Sequence, residues 1–411
     1  MQYNHRKSAV KLQVYDVDGK PADGKTVQIR QNSHQFLFGC GGFDAVAVAG
    51  GDSDGHPLDT AKKKSLQERL DAIFGFNNYA TLPFYLGRYE PEEGKPDETR
   101  LKAAAKYFVD RNIAVKGHPL CWHTVCAPWL MQYSNTDIFK KVIARIERDV
   151  SSFKGLIDRW DVINEVVIMP VFDKYDNAIT RICKERGRVR LIKDVFSAAK
   201  HANPHATLVL NDFNTGIDYQ ILIDGCLQAG APIDVIGIQS HQHQGYWGKE
   251  KLYEVLERFS HFGLPLHFTE NTLISGDLMP AHIVDLNDWQ VPEWPTTPEG
   301  EERQMRETVE MYEILFADPA VEAITTWNSS DDAWLHAPAG FMRLDNTKKP
   351  VYTALQHKIE KEWHTEIETQ THADGSLTLE GFRGSYSISA NGAVGTFYLD
   401  GKNPQLEVML R

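Results

Sequence analysis

The sequence predicts an α/β chain folded as a (β/α)8 TIM barrel with a small antiparallel β appendage, and three observations predict it. Eight short apolar, largely β-branched runs occur at 36–39, 76–82, 113–120, 160–165, 206–211, 235–239, 264–270 and 323–327. Longer segments at helical spacing, rich in helix formers, lie between them at 101–112, 138–153, 188–202, 251–262 and 300–317. Strand and helix in alternation build a parallel sheet that can close on itself. Polar side chains gather just after the apolar runs, at the strand ends where barrels of this kind build their sites.

Taken in order, residues 1–35 open with Val10, Leu12 and Val14 alternating with polar positions, a Gly/Asp turn, then Val27 and Ile29 alternating again. This is the pattern of a β-hairpin. The run from Phe36 ends in Gly39, Gly41 and Gly42, which match neither a P-loop nor a dinucleotide fingerprint and read as a turn. The barrel is expected to occupy 36–360, closing with a helix near 351–361. Beyond it, in 361–411, alternating apolar residues are punctuated by Asp-Gly, Asn-Gly and Asp-Gly at 374–375, 391–392 and 400–401. Such turns between alternating runs signal hairpins, so a small antiparallel sheet is expected here, completed by the N-terminal hairpin. Structural packing beside the barrel is the preferred role for it, ahead of carbohydrate binding.

At 411 residues the chain exceeds the usual single core, but α/β barrels of this order form one domain. Hydrophobic residues at 42% and charged residues at 24% describe an ordinary globular protein. A net charge of −12 argues against nucleic acid or an anionic membrane as partner. The first twenty residues hold no apolar run of a secretory leader, and no stretch approaches the ~18 apolar residues of a membrane span. The expected location is cytoplasmic if Met1 is the natural start, and extracellular or periplasmic if a leader has been removed. Cys40, Cys121, Cys126, Cys183 and Cys226 are odd in number without a CxxC and are expected as buried free thiols. His118, His123, His241 and His243 could be taken for a metal cluster, but no HExxH or Cys/His spacing supports one. No metal and no cofactor is expected.

Two stretches carry the chemistry. Arg159-Trp160-Asp161-Val162-Ile163-Asn164-Glu165-Val166 is a buried strand delivering an Asn-Glu pair, and Leu264-Pro265-Leu266-His267-Phe268-Thr269-Glu270 is a second one ending in glutamate. Two carboxylates facing one cleft are the minimum equipment for cleaving a glycosidic bond. Around them, His118 and His123 follow the third run, Asn211, Asp212 and Asn214 the fifth, Gln239, His241 and His243 the sixth, and Trp327, Asp331 and Trp334 the eighth. Trp160 and Trp122 are expected in the core, and Asp331 and Asp332 as caps of the segment that follows.

By these residues the chain resembles the family 10 glycoside hydrolases, the (β/α)8 retaining xylanases. The matching stretches are Gly117-His118-Pro119-Leu120-Cys121-Trp122-His123 with Pro128-Trp129, Trp160 through Glu165, Asn211-Asp212-Phe213-Asn214, Ile236 through His241, Thr269-Glu270, and Ile324 through Trp334. The resemblance implies that Glu165 is the general acid/base and Glu270 the nucleophile. It further implies that Asn164 bonds the 2-hydroxyl of the attacked sugar and that Asn211 belongs to the same substrate site. By the same resemblance His123, Gln239 and His241 form the polar shell, and Trp129, Trp327 and Trp334 the aromatic walls.

The chain departs from that family at two places. Thr81, Leu82 and Tyr85 stand where the family's Glu-Asn-x-x-Lys holds sugars on the non-reducing side, with Arg88 nearby, and Thr272 stands where an acidic residue follows the nucleophile. The resemblance therefore implies a retaining enzyme cutting β-1,4-xylosidic linkages in xylan or xylo-oligosaccharides. The departures keep open the same mechanism on another β-glycan, a branched xylo-oligosaccharide or an aryl β-glycoside. A non-catalytic sugar-binding protein and a metal-dependent hydrolase are the rival classes. The expected partner is an oligosaccharide or polysaccharide.

Overall fold

The computed structural model describes residues 3–52 and 56–411. Its strands, in chain order, are β1 (Lys7–Tyr15), β2 (Thr26–His34), β3 (Leu37–Gly41), β4 (Tyr79–Pro83) and β5 (Ala114–His118). There follow β6 (Arg159–Asn164), β7 (Thr207–Asp212), β8 (Val235–Gln242), β9 (Leu266–Leu273) and β10 (Val321–Thr326). The last five are β11 (Glu366–Gln370), β12 (Ser376–Phe382), β13 (Gly384–Ala390), β14 (Ala393–Leu399) and β15 (Gln405–Met409).

Strands β3 to β10 close into a barrel in the order β10-β3-β4-β5-β6-β7-β8-β9, every neighbouring pair parallel. The eight expected runs fall on these strands with ends displaced by up to three residues. Parallel strands covered on both sides have no wet face, which is why they read as runs; all eight residues of β9 are buried. The surrounding helices explain themselves locally. In Asn135–Ser152, Ser134 caps the start by accepting from the Asp137 N–H, and Ile138, Val142, Ile146 and Val150 form one buried stripe four residues apart. Thr297 caps Pro298–Ala317 by accepting from Gly300, with proline at the first turn. Gly41 lets β3 approach the last strand closely: a Cβ there would lie 2.6 Å from the Trp327 carbonyl oxygen.

The N- and C-terminal segments form two further sheets, β12-β1-β15 and β11-β2-β13-β14. The expected opening hairpin is not formed. β1 pairs antiparallel with β12 and parallel with β15, while β2 pairs with β11 and β13. Each of the two strands has a single apolar face, and Val10, Leu12 and Val14 bury theirs in the same cluster as Val27 and Ile29, between sheets. The unit is tied to the N-terminal end of the barrel. Arg6 donates to the carbonyls of Phe316, Asp318 and Val321 at the start of β10, and Trp363 stacks on Phe316 and Phe38 at 4.4 and 5.8 Å between centroids.

Asp331 and Asp332 do not cap a helix. Asp331 pairs with the buried Lys349 at 2.5 Å and accepts from the Gly340 N–H, while Asp332 contacts His336. Among the described residues no helix is long and apolar enough to cross a membrane. Cys40, Cys121, Cys183 and Cys226 are buried free thiols and Cys126 is partly buried.

Candidate active site

The C-terminal ends of the barrel strands converge on one hydrogen-bonded network that contains both glutamates. Asn211, at the end of β7, donates through Nδ2 to Asn164 Oδ1 and to Glu270 Oε1, each at 2.8 Å. Its own Oδ1 accepts from Thr269 Oγ1 at 2.6 Å, which fixes the amide's orientation. Gln239, on β8, donates to Asn164 Oδ1 at 3.0 Å and to Glu165 Oε1 at 3.1 Å. Two amides thus bridge the carboxylate after β6 to the one on β9. Irregularities in the strand ladders lie next to them, between Asp161 and Ile163 and between Ile238 and Gln239. Such bulges re-aim side chains beside a site.

Glu165 is held in a left-handed backbone conformation, φ 59°, while its N–H donates to the Asn211 carbonyl at 2.8 Å. A non-glycine residue there costs roughly 1–2 kcal/mol, which the surrounding ladder must hold in place. Its carboxyl accepts from Trp122 Nε1 at 2.8 Å on one oxygen, and from Asn164 Nδ2 at 3.2 Å and Gln239 on the other. Trp122, expected in the core, therefore belongs to the site. Its ring is packed against its neighbours, but its N–H edge is turned to Glu165, an orientation hydrophobicity alone does not reveal.

Glu270 has a different environment. His241 Nε2 lies 3.1 Å from its Oε2, and the other ring nitrogen lies 3.1 Å from Thr272 Oγ1, the neutral hydroxyl at the position where an acid was expected. On the other side, His118 Nδ1 is 3.9 Å from Glu270 Oε1 and 2.7 Å from Asp161 Oδ2, which Lys116 Nζ also approaches to 2.7 Å. His118 was expected among the polar residues around the carboxylates, but the buried Lys116 and Asp161 that hold it escaped the sequence reading. The trace of Lys116 is the spacing of two on β5 that puts it and His118 on one face of the strand, both fully buried.

These surroundings push the two carboxyls apart. Burial raises Glu165, the negative charge of Glu270 raises it further, and the Trp122 donor only partly offsets them, so its pKa goes from 4.5 to about 8. Burial also raises Glu270, but the charges of His118, His241 and Lys116 and the His241 hydrogen bond outweigh it, and its pKa falls below the ordinary value. At neutral pH one group holds a proton and the other a charge, the division that lets two like residues act as acid and as nucleophile.

Aromatic rings line the mouth. Trp334 lies 4.5 Å from the His241 ring, and Trp327 lies 5.1 Å from His118 and 5.4 Å from Phe43. Tyr85 packs on His118 and Trp122, each at 5.6 Å, and its hydroxyl is raised by burial and by the charges of Glu270 and Glu165. Of the three residues at the departing segment, Thr81 and Leu82 are fully buried in β4, and Tyr85 is the one turned toward the carboxylates. Exposed Arg88 sits 5.9 Å from the Tyr85 ring centroid. His123 packs between Phe172 and Trp122, whereas Trp129 is held by its N–H bond to the Glu90 carbonyl at 2.9 Å, outside the amide network. Among the described residues no group of three or more His, Cys, Asp or Glu side chains is placed to hold a metal ion.

Comparison with known proteins gives four findings. The model of glycosyl hydrolase family 10 matches residues 85–358. Endo-1,4-beta-xylanase A of Caldicellulosiruptor saccharolyticus is 24% identical over 265 residues, covering 59% of this chain and 71% of that one. The endo-1,4-beta-xylanase/feruloyl esterase of Xylanibacter ruminicola is 26% identical over 284 residues, but the match spans only 37% of its length. Among solved structures, xylanase 10B from Thermotoga petrophila in complex with xylobiose superposes with a TM-score of 0.63 at 20% identity, covering 80% of this chain and 95% of that one. The last likeness is one of fold.

Proposed function

Since the chain belongs to glycosyl hydrolase family 10, a family of retaining glycoside hydrolases, we propose that it cleaves β-1,4-xylosidic bonds in xylan or xylo-oligosaccharides by double displacement. Glu270 attacks the anomeric carbon as the bond to the leaving oxygen breaks, and the Glu165 proton passes to that oxygen. The ester formed on Glu270 carries no negative charge. With that charge gone, one of the two main causes of the raised Glu165 pKa is removed, and Glu165 becomes a base able to take a proton from water. The water oxygen then bonds to the anomeric carbon, the ester breaks, and both side chains return to their starting states. Asn164, tied to both amides, is the group assigned to the 2-hydroxyl. His123, Asn211, Gln239 and His241 form the polar shell, and Trp327 and Trp334, with Trp129 further out, offer faces to the sugar C–H groups.

The observation that carries the reading is the opposed titration of two carboxyls joined through Asn211, Asn164 and Gln239. A second reading keeps this chemistry and changes the sugar, because Tyr85 puts a bulky ring where a charged contact was expected. Product analysis with linear and branched xylo-oligosaccharides and with β-1,4-gluco-oligosaccharides separates the two. Wild type should release xylo-products and Glu270→Ala none; cleavage confined to another series would move the substrate and direct attention to Tyr85. A glycosyl adduct trapped on any residue other than Glu270 would overturn the assignment.

A further inference from the structure

Beyond the carboxylate pair, the rim of the barrel carries a strap. Residues 274–297 leave β9 and return to the helix Pro298–Ala317, and the ends are fastened together. Ser275 and Thr296 bond through their hydroxyls at 2.7 Å, the Thr297 N–H donates to the Ser275 carbonyl at 2.8 Å, and Trp294 Nε1 donates to the Asp277 carbonyl at 2.7 Å. From this base the segment passes the end of the neighbouring strand β8. There the Met279 N–H donates to the His243 carbonyl, and Gln244 Nε2 donates to the carbonyls of Pro280 and Ile283 at 2.9 and 2.7 Å. Its far side reaches the loop after β6, where Lys174 Nζ lies 2.7 Å from Asp285 Oδ2 and 2.6 Å from Asp288 Oδ1. A segment born on β9 is thereby clasped to the loop that follows Glu165, three strands round the barrel.

We propose that this clasped strap closes the leaving-group side of the cleft, so that Lys174, Asp285 and Asp288 restrict the enzyme to short leaving groups. The proposal rests on the roles given above to Glu165 and Glu270. In a retaining displacement the nucleophile enters opposite the leaving oxygen and the acid reaches that oxygen, so the departing chain lies on the Glu165 side. The clasp stands on that side. Lys174 follows Glu165 in the same loop, and the Asp285 charge acts on His123 and Tyr175, the neighbourhood of Trp122 and Glu165. On the opposite side, the ends of β3 and β4 present Phe43 and Tyr85 as walls, their rings 6.4 Å apart between centroids.

Two partly exposed ion pairs hold the clasp, with Lys174 39%, Asp285 33% and Asp288 59% exposed. Pairs of that kind are individually weak, so cutting both shifts the open-to-closed ratio by about five- to tenfold. The test compares wild type, Lys174→Ala and Asp285→Asn/Asp288→Asn on an aryl β-xylobioside and on polymeric xylan. Aryl turnover is expected to stay within about twofold, while polymer turnover rises about five- to tenfold in the cut variants. Joint reversal, Lys174→Glu with Asp285→Lys and Asp288→Lys, should restore the wild-type ratio. In parallel, calorimetry of oligosaccharides of increasing length on Glu270→Ala should show affinity levelling off early with the clasp intact and continuing to rise when Lys174→Ala is added. Equal length dependence with and without the clasp, or an unchanged polymer-to-aryl ratio, overturns the strap's role. Failure of wild type to hydrolyse any glycoside strikes the hydrolase reading instead, and the calorimetric comparison still decides the strap.

Discussion

Replacing Glu165 with glutamine should stabilise the fold at alkaline pH and not at acid pH. The folded-state pKa of Glu165, about 8, lies above the 4.5 of an unperturbed glutamate. Below pH 4.5 both folded and unfolded chains hold the proton, and the group leaves the balance untouched. Between 4.5 and about 8 the unfolded chain releases its proton while the folded one keeps it, so stability is lost steadily as pH rises. Above about 8 the loss is complete. At ~1.4 kcal/mol per pH unit it amounts to about 5 kcal/mol, and because Glu165 keeps part of its surface open to solvent, that value is a ceiling. Glutamine does not titrate and escapes the loss. It brings its own defect, since an amide NH2 facing Trp122 Nε1 cannot accept the 2.8 Å bond, costing about 1 kcal/mol. That offset is the same at every pH, so the signature is the divergence of the two stability curves. Urea unfolding of wild type and Glu165→Gln at pH 4.5, 6.5 and 8.5 measures it. Parallel curves would show that Glu165 is not held protonated, and the assignment of the acid would fall with it.

The other consequences concern the neighbours of the two carboxyls. Trp122→Phe removes a donor that favours the ionised form of Glu165, so the alkaline limb of kcat/KM should move to higher pH; a limb that stays put would mean the indole does not bear on the acid. Lys116→Met removes a buried positive charge that helps keep Glu270 ionised and leaves Asp161 with His118 alone. The acid limb should move up and unfolding free energy fall by about 3–5 kcal/mol, and a variant of wild-type stability with an unmoved acid limb would refute this.

How much of this was legible follows from what each residue must do. The barrel strands are legible because burial on both faces leaves no room for polar alternation until the strand end, where Asn164, Asn211 and Glu270 interrupt it. The helix Asn135–Ser152 is legible from its stripe, whereas Thr60–Ile73 buries only Leu70 and Ile73 and presents no pattern to find. Alternation in β1 and β2 reveals their inward faces but not their partners, and β1 finds its two neighbours, β12 and β15, at the far end of the chain. In the site, the two glutamates stand out as charges without a reason to be buried. Trp122 does not, since its apolar ring reads the same whether its N–H meets a backbone carbonyl or, as here, the Glu165 carboxyl.

Thr272 shows why the missed residues matter most. A hydroxyl 3.1 Å behind His241 can hold the ring in place but adds no charge to it. Glu270 is kept ionised against its burial first by His118, anchored through Asp161 to Lys116, and then by His241 through its hydrogen bond and its charge. Lys116 and Asp161 are both fully buried, which would be costly for either alone, and each is tolerable because the other is there. The pair is neutral overall, and its Asp161 oxygen holds one imidazole, His118, 3.9 Å from the carboxylate proposed to attack the sugar. The electrostatic support of Glu270 therefore comes from two sides, from His118 with Lys116 behind it inside the barrel and from His241 at the cleft, so a change at either side should move the acid limb.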